Sequence, residues 1–195
     1  MGLLTGFYPY PNQPNFISPD LIAKNFETSA WVGERKKNGW RCLAIKTGGE
    51  LILWTRHKTV ISDPLPITRG ALSIMPDDTI IDGELIDKRT KDTKDLFYAF
   101  DILVLKGERL FNKPWKERRD FLEQTTDDMD GIIVSVPISV GKAFLYDLAV
   151  DEGDEGIVLK NIHSKYLFSA KTGITNPLWV KAKRPEPSFK TGGEK

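Results

Sequence analysis

The segment "WVGERKKNGWRCLAIK", residues 31–46, predicts the architecture more directly than any other part of the chain. Apolar and polar side chains alternate over 31–36 and again over 41–46, which predicts two strands separated by the turn signal Asn38-Gly39. Between them, "RKK" places three cations in a row. Such crowding is typical of either the solvated end of a hairpin or a site for a polyphosphate. The other motifs of the chain distinguish these two interpretations.

The same alternation continues on both sides of this segment. It predicts further strands at 50–56, 79–86, 96–105, 132–136, 157–160 and 178–183. Helices are predicted near 19–25, 69–74, from Pro114 onward and over 142–150. The sum is an α+β fold of mostly antiparallel sheets flanked by a few helices. Residues 1–17 are predicted to form an extended arm, 18–184 the main domain and 185–195 a polar tail.

Composition excludes several classes of function. The formal net charge of the 195 residues is +1, so a nucleic acid would have to be held by local patches. Cys42 is the only cysteine, which excludes an intrachain disulfide and favours an intracellular, reducing compartment, either cytoplasm or nucleoid, with a phage or viral source as an alternative. No apolar run approaches the length of a membrane span, so no membrane partner is expected.

Charged side chains interrupt apolar strands, and burying them is costly unless they have partners. They are Asp82 and Glu84 in "TIIDGELI", Asp101 in "YAFDILVL", Glu155 and Lys160 in "EGIVLK", and Lys181 and Lys183 in "LWVKAK". Each has a plain structural explanation, such as a bulge at Asp82-Gly83 or a solvated lysine face. Together they are the inventory for nucleotidyl transfer, because lysines hold phosphates, carboxylates hold Mg²⁺, and Phe100 or Tyr98 can stack a base.

The order of "KKNGWR", "IDGELI", "FYAFDIL", "EGIVLK" and "LWVKAK" resembles motifs I, III, IIIa, IV and V of the covalent nucleotidyltransferases, most closely the ATP-dependent DNA ligases. The resemblance covers about residues 31–184. It implies a ligase-type nucleotidyltransferase fold, which is ATP-grasp-like, with ATP and Mg²⁺ or Mn²⁺ as cofactors. It also implies an adenylation domain, expected as a monomer, that forms a covalent lysyl-AMP and transfers AMP to the 5′-phosphate of nicked duplex DNA.

The resemblance also implies residue roles. Lys36 would be the nucleophile, and Lys37, Lys160 or Lys181 would supply the neighbouring charge that activates such a lysine. The other implied roles are Glu34 at the adenine edge, Arg41 at the ribose, Glu84 and Glu155 at the ribose and the metal, Phe100 on the adenine ring with Tyr98 as its rival, and Lys160, Lys181 and Lys183 on the phosphates. "RKK", "KERR" and "KAKR" are the candidate patches for DNA phosphates.

Three departures separate the chain from the family pattern. Asn38 stands where DNA ligases usually carry aspartate, and no arginine precedes motif V, where Lys171 is the nearest cation. The chain ends 12 residues after Lys183, so an OB-fold domain, if needed, would come from a partner or from a missing part. The alternatives are an RNA ligase, with RNA as the partner, a capping guanylyltransferase, or a non-catalytic module that binds nicks or ends.

Overall fold

The computed structural model describes residues 2–87 and 94–185, and it contains two sheets and four helices within those ranges. The strands are β1 (Gln13–Phe16), β2 (Trp31–Lys36), β3 (Trp40–Thr47), β4 (Glu50–Thr55), β5 (Thr79–Ile86), β6 (Leu96–Leu105), β7 (Glu108–Arg109), β8 (Ile132–Val134), β9 (Gly156–Asn161) and β10 (Thr175–Lys183). The helices are α1 (Asp20–Asn25), α2 (Pro66–Ser73), α3 (Trp115–Thr126) and α4 (Lys142–Asp151). The predicted α+β class is confirmed. The predicted tail lies outside the described residues from residue 186 on.

The larger sheet has the strand order β4-β3-β5-β6-β7, with β8 beside β6. Its neighbours pair antiparallel except for β6 and β8. Gly48 and Gly49 close the β3–β4 hairpin with φ angles of 59° and 80°, which glycine adopts without strain. The predicted turn at this position is therefore confirmed.

The smaller sheet has the order β1-β10-β9-β2. Strands β2 and β3 follow each other in sequence but belong to different sheets, so Asn38-Gly39 does not close a hairpin between them, and that part of the prediction was wrong. The segment instead crosses from one sheet to the other. Gly39 is needed there for close approach, because a Cβ atom would lie 2.6 Å from the carbonyl oxygen of Leu85.

A bulge in β6 interrupts its pairing with β5. Asp82 lies opposite Asp101 and Gly83 lies opposite Ala99, so Phe100 is the extra residue on β6. Only glycine fits at position 83, because a Cβ atom would lie 2.5 Å from the ring of Phe97. Bulges re-aim side chains next to active sites, and here the bulge turns Phe100 toward the space between the two sheets, where it lines a cavity.

Three clusters of buried side chains hold these layers together. One packs the larger sheet against α2 and α3, and another packs the smaller sheet against α1 and α4. The third joins the sheets through Trp179 of β10 and includes Leu4 and Tyr8 of the predicted arm. The aromatic side chains of the arm thus dock on the domain. No helix among the described residues is long and apolar enough to cross a membrane.

Candidate active site

A cavity of about 890 Å³ opens between the two sheets. Its walls come from β2, β9 and β10 on one side and from β3, β5 and β6 on the other, with residues 10–14 and 172–173 at the rim. Every predicted site residue lines it: Glu34, Lys36, Arg41, Glu84, Phe100, Glu155, Lys160, Lys181 and Lys183, together with Tyr98. The cavity is large enough for a nucleotide.

Lysines surround one carboxylate at one end of the cavity. The Nζ atom of Lys36 lies 2.6 Å from Glu155 Oε2, and that of Lys183 lies 2.8 Å from the same oxygen. Although burial opposes it, hydrogen bonding from Lys183 and Lys36 lowers the pKa of Glu155. Partial burial and the charges of Lys183 and Lys36 lower the pKa of Lys181. This end therefore carries local positive charge, which suits phosphates.

The backbone fixes where Lys36 points. It is the last residue of β2, and its carbonyl oxygen accepts the amide of Glu155 at 2.9 Å. Side chains alternate along a strand, so Arg35 and Lys37 turn away from Lys36. Arg35 Nε lies 2.5 Å from Asp154 and Lys37 Nζ lies 3.0 Å from the same carboxylate.

All three cations of "RKK" line the cavity, but each is ion-paired: Lys36 with Glu155, and Arg35 and Lys37 with Asp154. Lys160 is likewise ion-paired with Glu34. Lys181, another cation expected to activate Lys36, is repelled by the charge of Lys36. The "RKK" segment is therefore not a patch of three free cations.

The opposite end of the cavity holds a buried pair and an aromatic ring. Glu34 and Lys160 are each 2% exposed, and their charged atoms lie 2.6 Å apart. The same ammonium donates to the carbonyl oxygen of Phe100 at 3.2 Å and lies 5.0 Å from its ring centroid. Ser135 donates to the other oxygen of Glu34. A ring beside hydrogen-bonding groups suits a purine base.

Lys160 therefore lies apart from the lysines at Glu155. It is four residues from Gly156 along β9, a spacing of about 13 Å in a strand. Lys36 pairs with Gly156 in the sheet, whereas Lys160 pairs with Val32. Lys160 thus lies beside Glu34 and Phe100 rather than beside Glu155, and its phosphate role stays a prediction.

Arg41 joins the cavity to a buried network. Its Nε and Nη2 atoms donate to the two oxygens of Asp82 at 2.6 Å and 2.5 Å, and its guanidinium lies 4.5 Å from the ring centroid of Phe100. Tyr166 donates its hydroxyl to Asp82 Oδ2 at 2.9 Å and accepts the backbone amide of Asn12 at 3.1 Å. The network fixes Arg41 against Phe100.

Glu84 lies beside the phosphate end. Its Oε1 atom accepts the backbone amide of Gly39 at 3.1 Å, and its charge interacts with those of Lys36 and Glu155. Burial raises the pKa of Glu84, against the opposing effect of Lys36 and Arg41. A buried carboxylate of this kind gains from a nearby cation.

Arg56 and His57 are among the cavity residues that the sequence analysis missed. Arg56 follows directly after β4 and lines the cavity with His57, to which its Nε donates at 2.9 Å. The positive charge of Arg56 repels that of Lys181. A single arginine at a strand end carries no periodic or motif signal that we used, so only the fold brings it to the site.

One predicted patch does not face solvent. In "KERR", Arg118 is fully buried and Arg119 is 7% exposed. Arg118 makes two hydrogen bonds to Asp101, at 2.8 Å and 2.9 Å, and Arg119 contacts Ser135 at 3.0 Å. These arginines brace α3 against β6 and the base end of the cavity, so the prediction that "KERR" binds DNA phosphates was wrong.

Comparisons with known proteins agree with this geometry. Residues 86–183 match the model of the ATP dependent DNA ligase domain family. A DNA ligase of Methanocorpusculum labreanum is 31% identical over 177 residues, which are 78% of this chain and 32% of that protein. The prophage-derived DNA ligase-like protein LigB of Bacillus subtilis is 26% identical, over 80% of this chain and 65% of its own length. The chain thus spans about a third of the archaeal relative.

A solved structure shows the same fold. The ligase domain of Mycobacterium tuberculosis LigD superposes with a TM-score of 0.70 at 24% identity, covering 89% of this chain and 60% of that one. The predicted ligase-type nucleotidyltransferase fold is confirmed.

Proposed function

Since this chain belongs to the family of ATP-dependent DNA ligase domains, we propose that it is an adenylation domain that uses ATP to activate the 5′-phosphate of a DNA nick. One observation carries the proposal. The amine of Lys36, 2.6 Å from Glu155, shares a cavity with four further lysines and with the ring of Phe100. A nucleophile, phosphate-binding charges and a stacking surface are what covalent nucleotidyl transfer needs.

In the first step, Lys36 attacks the α-phosphorus of ATP after its ammonium has given up a proton. The Nζ–P bond forms as the bond from the α-phosphorus to the bridging oxygen breaks, and pyrophosphate leaves with that electron pair. Lys181 and Lys183 line the same cavity, and we assign them to neutralise charge on the leaving group. Little other covalent work falls to the protein, because positioning and charge neutralisation dominate such transfers.

The base end supports adenine. Phe100 offers a ring face for stacking, and Glu34 offers a carboxylate, which only accepts hydrogen bonds. The exocyclic amino group of adenine is a donor, whereas guanine has an acceptor oxygen at that position. We therefore assign Glu34 as the acceptor for that amino group, and the match to the ATP-dependent DNA ligase domain family supports ATP over GTP.

Glu84 and Glu155 fit a Mg²⁺ site that the phosphates of ATP would complete. Among the described residues, no group of three or more His, Cys, Asp or Glu side chains could hold a metal alone. Mg²⁺ commonly takes one or two carboxylates together with substrate phosphates, and the partly buried carboxylate of Glu84 interacts electrostatically with that of Glu155. When bound, the metal would neutralise phosphate charge.

In the second step, an oxygen of the 5′-phosphate attacks the phosphorus of the lysyl-AMP, and Lys36 leaves. In the third step, the 3′-hydroxyl attacks the activated 5′-phosphate and AMP leaves. Arg56 is exposed at the cavity rim beside Lys181, so it is available to the nick phosphate.

The test is covalent labelling with ATP carrying a label on the α-phosphate, in the presence of Mg²⁺. We expect a mass increase of one AMP that survives a denaturing gel and maps to Lys36. Lys36→Ala should abolish the label without unfolding the protein. Lys37→Ala is the matched control, because Lys37 is adjacent but ion-paired with Asp154, and its variant should still take label on Lys36.

Other results would change the assignment. Label on Lys37, or label that persists in Lys36→Ala, would contradict the nucleophile. Equal labelling from GTP would favour a capping guanylyltransferase, and faster sealing of nicked RNA than of nicked DNA would favour an RNA ligase. Nick binding with no label under any condition would indicate a non-catalytic module.

A further inference from the structure

Phe16 is an exposed aromatic side chain beside the lysines of the cavity. It is 68% exposed and is the last residue of β1, where it lies opposite Lys181 in the parallel pairing with β10. The Nζ atom of Lys181 lies 4.0 Å from the ring centroid, and that of Lys183 lies 5.8 Å from it. Both lysines line the cavity, whereas Phe16 lies outside its lining. The ring therefore contacts Lys181 from the side away from the nucleotide site.

Lys181 has little else to hold it in place. Within residues 2–87 and 94–185, no carboxylate oxygen lies within 4.0 Å of its Nζ atom, although Lys36 and Lys183 both have Glu155 at that range. The charges of Lys36, Lys183 and Arg56 repel it, against the attraction of Glu155. A flexible side chain under such repulsion would turn outward into solvent, and the negative face of an aromatic ring opposes that by attracting the ammonium.

The backbone holds the ring where this contact forms. Ile17 donates its amide to the carbonyl oxygen of Lys181 at 3.0 Å, directly after Phe16. The pairing of β1 and β10 shifts between Pro14 and Asn15, which brings Asn15 and Phe16 opposite Val180 and Lys181. An exposed ring would otherwise have no reason to stay at one position, so the strand pairing supplies its order.

We propose that Phe16 is a positioning residue, which holds the ammonium of Lys181 at the wall of the cavity through its ring face. The inference rests on the proposed function, because Lys181 then meets the phosphates of ATP without first having to be ordered. Phe16 touches neither the nucleotide nor the reacting atoms, and it acts through Lys181.

The contact can be measured without any nucleotide. In protein labelled with ¹³C-lysine, the Lys181 Cε–Hε signal, assigned with Lys181→Arg, should be shifted upfield by the ring current of Phe16. Phe16→Tyr keeps a ring and should keep the shift, whereas Phe16→Leu keeps apolar bulk and should lose it. An unchanged signal in Phe16→Leu overturns the proposal.

The consequence is measured as the single-turnover rate of AMP attachment to Lys36. We expect Phe16→Leu to lower the rate at saturating ATP about two- to fivefold, the factor that corresponds to an exposed cation–π contact. The concentration of ATP at half-maximal rate should change less than the rate itself, and Phe16→Tyr should restore wild-type behaviour. In a Lys181→Met background, Phe16→Leu should have no further effect.

Two kinetic outcomes overturn the proposal: equal rates in Phe16→Leu and Phe16→Tyr, and an undiminished effect of Phe16→Leu in Lys181→Met. A wild-type protein that takes up no AMP contradicts the proposed function instead. In that case the resonance measurement still decides whether Phe16 holds Lys181.

Discussion

Tyr166→Phe removes one hydroxyl from the buried network behind Arg41, and its cost follows from two hydrogen bonds. The hydroxyl donates to Asp82 at 2.9 Å and accepts the Asn12 amide at 3.1 Å. Burial and the charge of Asp82 raise the pKa of Tyr166 well above its ordinary value, so the phenol remains a donor. A hydrogen bond to a charged group contributes about 1.5–3 kcal/mol, and a buried amide left without a partner costs about 1–3 kcal/mol.

These terms overlap, because the same substitution relaxes both partners. We expect the free energy of unfolding of Tyr166→Phe to fall by about 2–4 kcal/mol. The measurement is urea denaturation at 25 °C, with an unchanged dependence on denaturant as the sign that the same surface unfolds. AMP attachment should slow as well, since Arg41 would lose part of its support next to Phe100.

Tyr8→Phe is the matched control. Tyr8 is 5% exposed, and its hydroxyl makes one neutral bond, to the carbonyl oxygen of Thr55 at 2.6 Å. In Tyr8→Phe, the carbonyl oxygen of Thr55 still accepts the amide of Lys58 at 3.0 Å. The free energy of unfolding should therefore fall by only about 1 kcal/mol. A loss in Tyr166→Phe no larger than that in Tyr8→Phe would refute the reasoning about the network.

Three further outcomes are expected. Glu84→Gln should raise the melting temperature at neutral pH while lowering AMP attachment. Burial raises the pKa of Glu84 above its ordinary 4.5, so the wild-type protein loses stability as pH rises from that value through the folded-state pKa. The stability gain of Glu84→Gln should therefore vanish below pH 4.5. Gly39→Ala should abolish labelling, because its Cβ atom would lie 2.6 Å from the Leu85 oxygen, while Gly70→Ala, with open space in α2, should be neutral or stabilising in thermal melts. Labelling from GTP should be at least about tenfold slower than from ATP, which is the discrimination that one good polar contact gives. Glu34→Gln should reduce this difference between the two labelling rates. Addition of a chelator should abolish labelling from either nucleotide.

Local patterns were sufficient to predict most strands and the residues of the cavity. The apolar runs of β5 and β6 predicted Thr79–Ile86 and Leu96–Leu105 with the bounds that the structure has, because strands buried on both faces carry near-continuous apolar sequence. Asp82-Gly83 in "IDGELI" was explained either as a bulge or as part of a nucleotide site. The structure joins the two explanations, since the bulge beside Gly83 is also what turns Phe100 into the cavity.

What the sequence could not supply is the partner of each charge. Helical spacing places Arg118 on the same face as Trp115 and Leu122, which is buried, but nothing local identifies Asp101 as its partner. Gly48-Gly49 and Asn38-Gly39 give equivalent turn signals, yet only the first closes a hairpin. Both outcomes depend on pairings between distant segments, which a window of neighbouring residues does not contain.

Those pairings explain how a chain of net charge +1 builds a cationic site. Arg41 is balanced by Asp82 and Lys160 by Glu34, and both pairs are fixed next to Phe100. Lys36 and Lys183 share Glu155, and the Lys181 ammonium lies over the ring of Phe16. Among the residues that the structure describes, three lysines thus meet one carboxylate at this end of the cavity, which leaves positive charge there. If Glu155 takes part in a Mg²⁺ site, as proposed above, it would neutralise Lys36 less fully. The ion pair between Lys36 and Glu155 would then be the restraint whose loss frees the nucleophile.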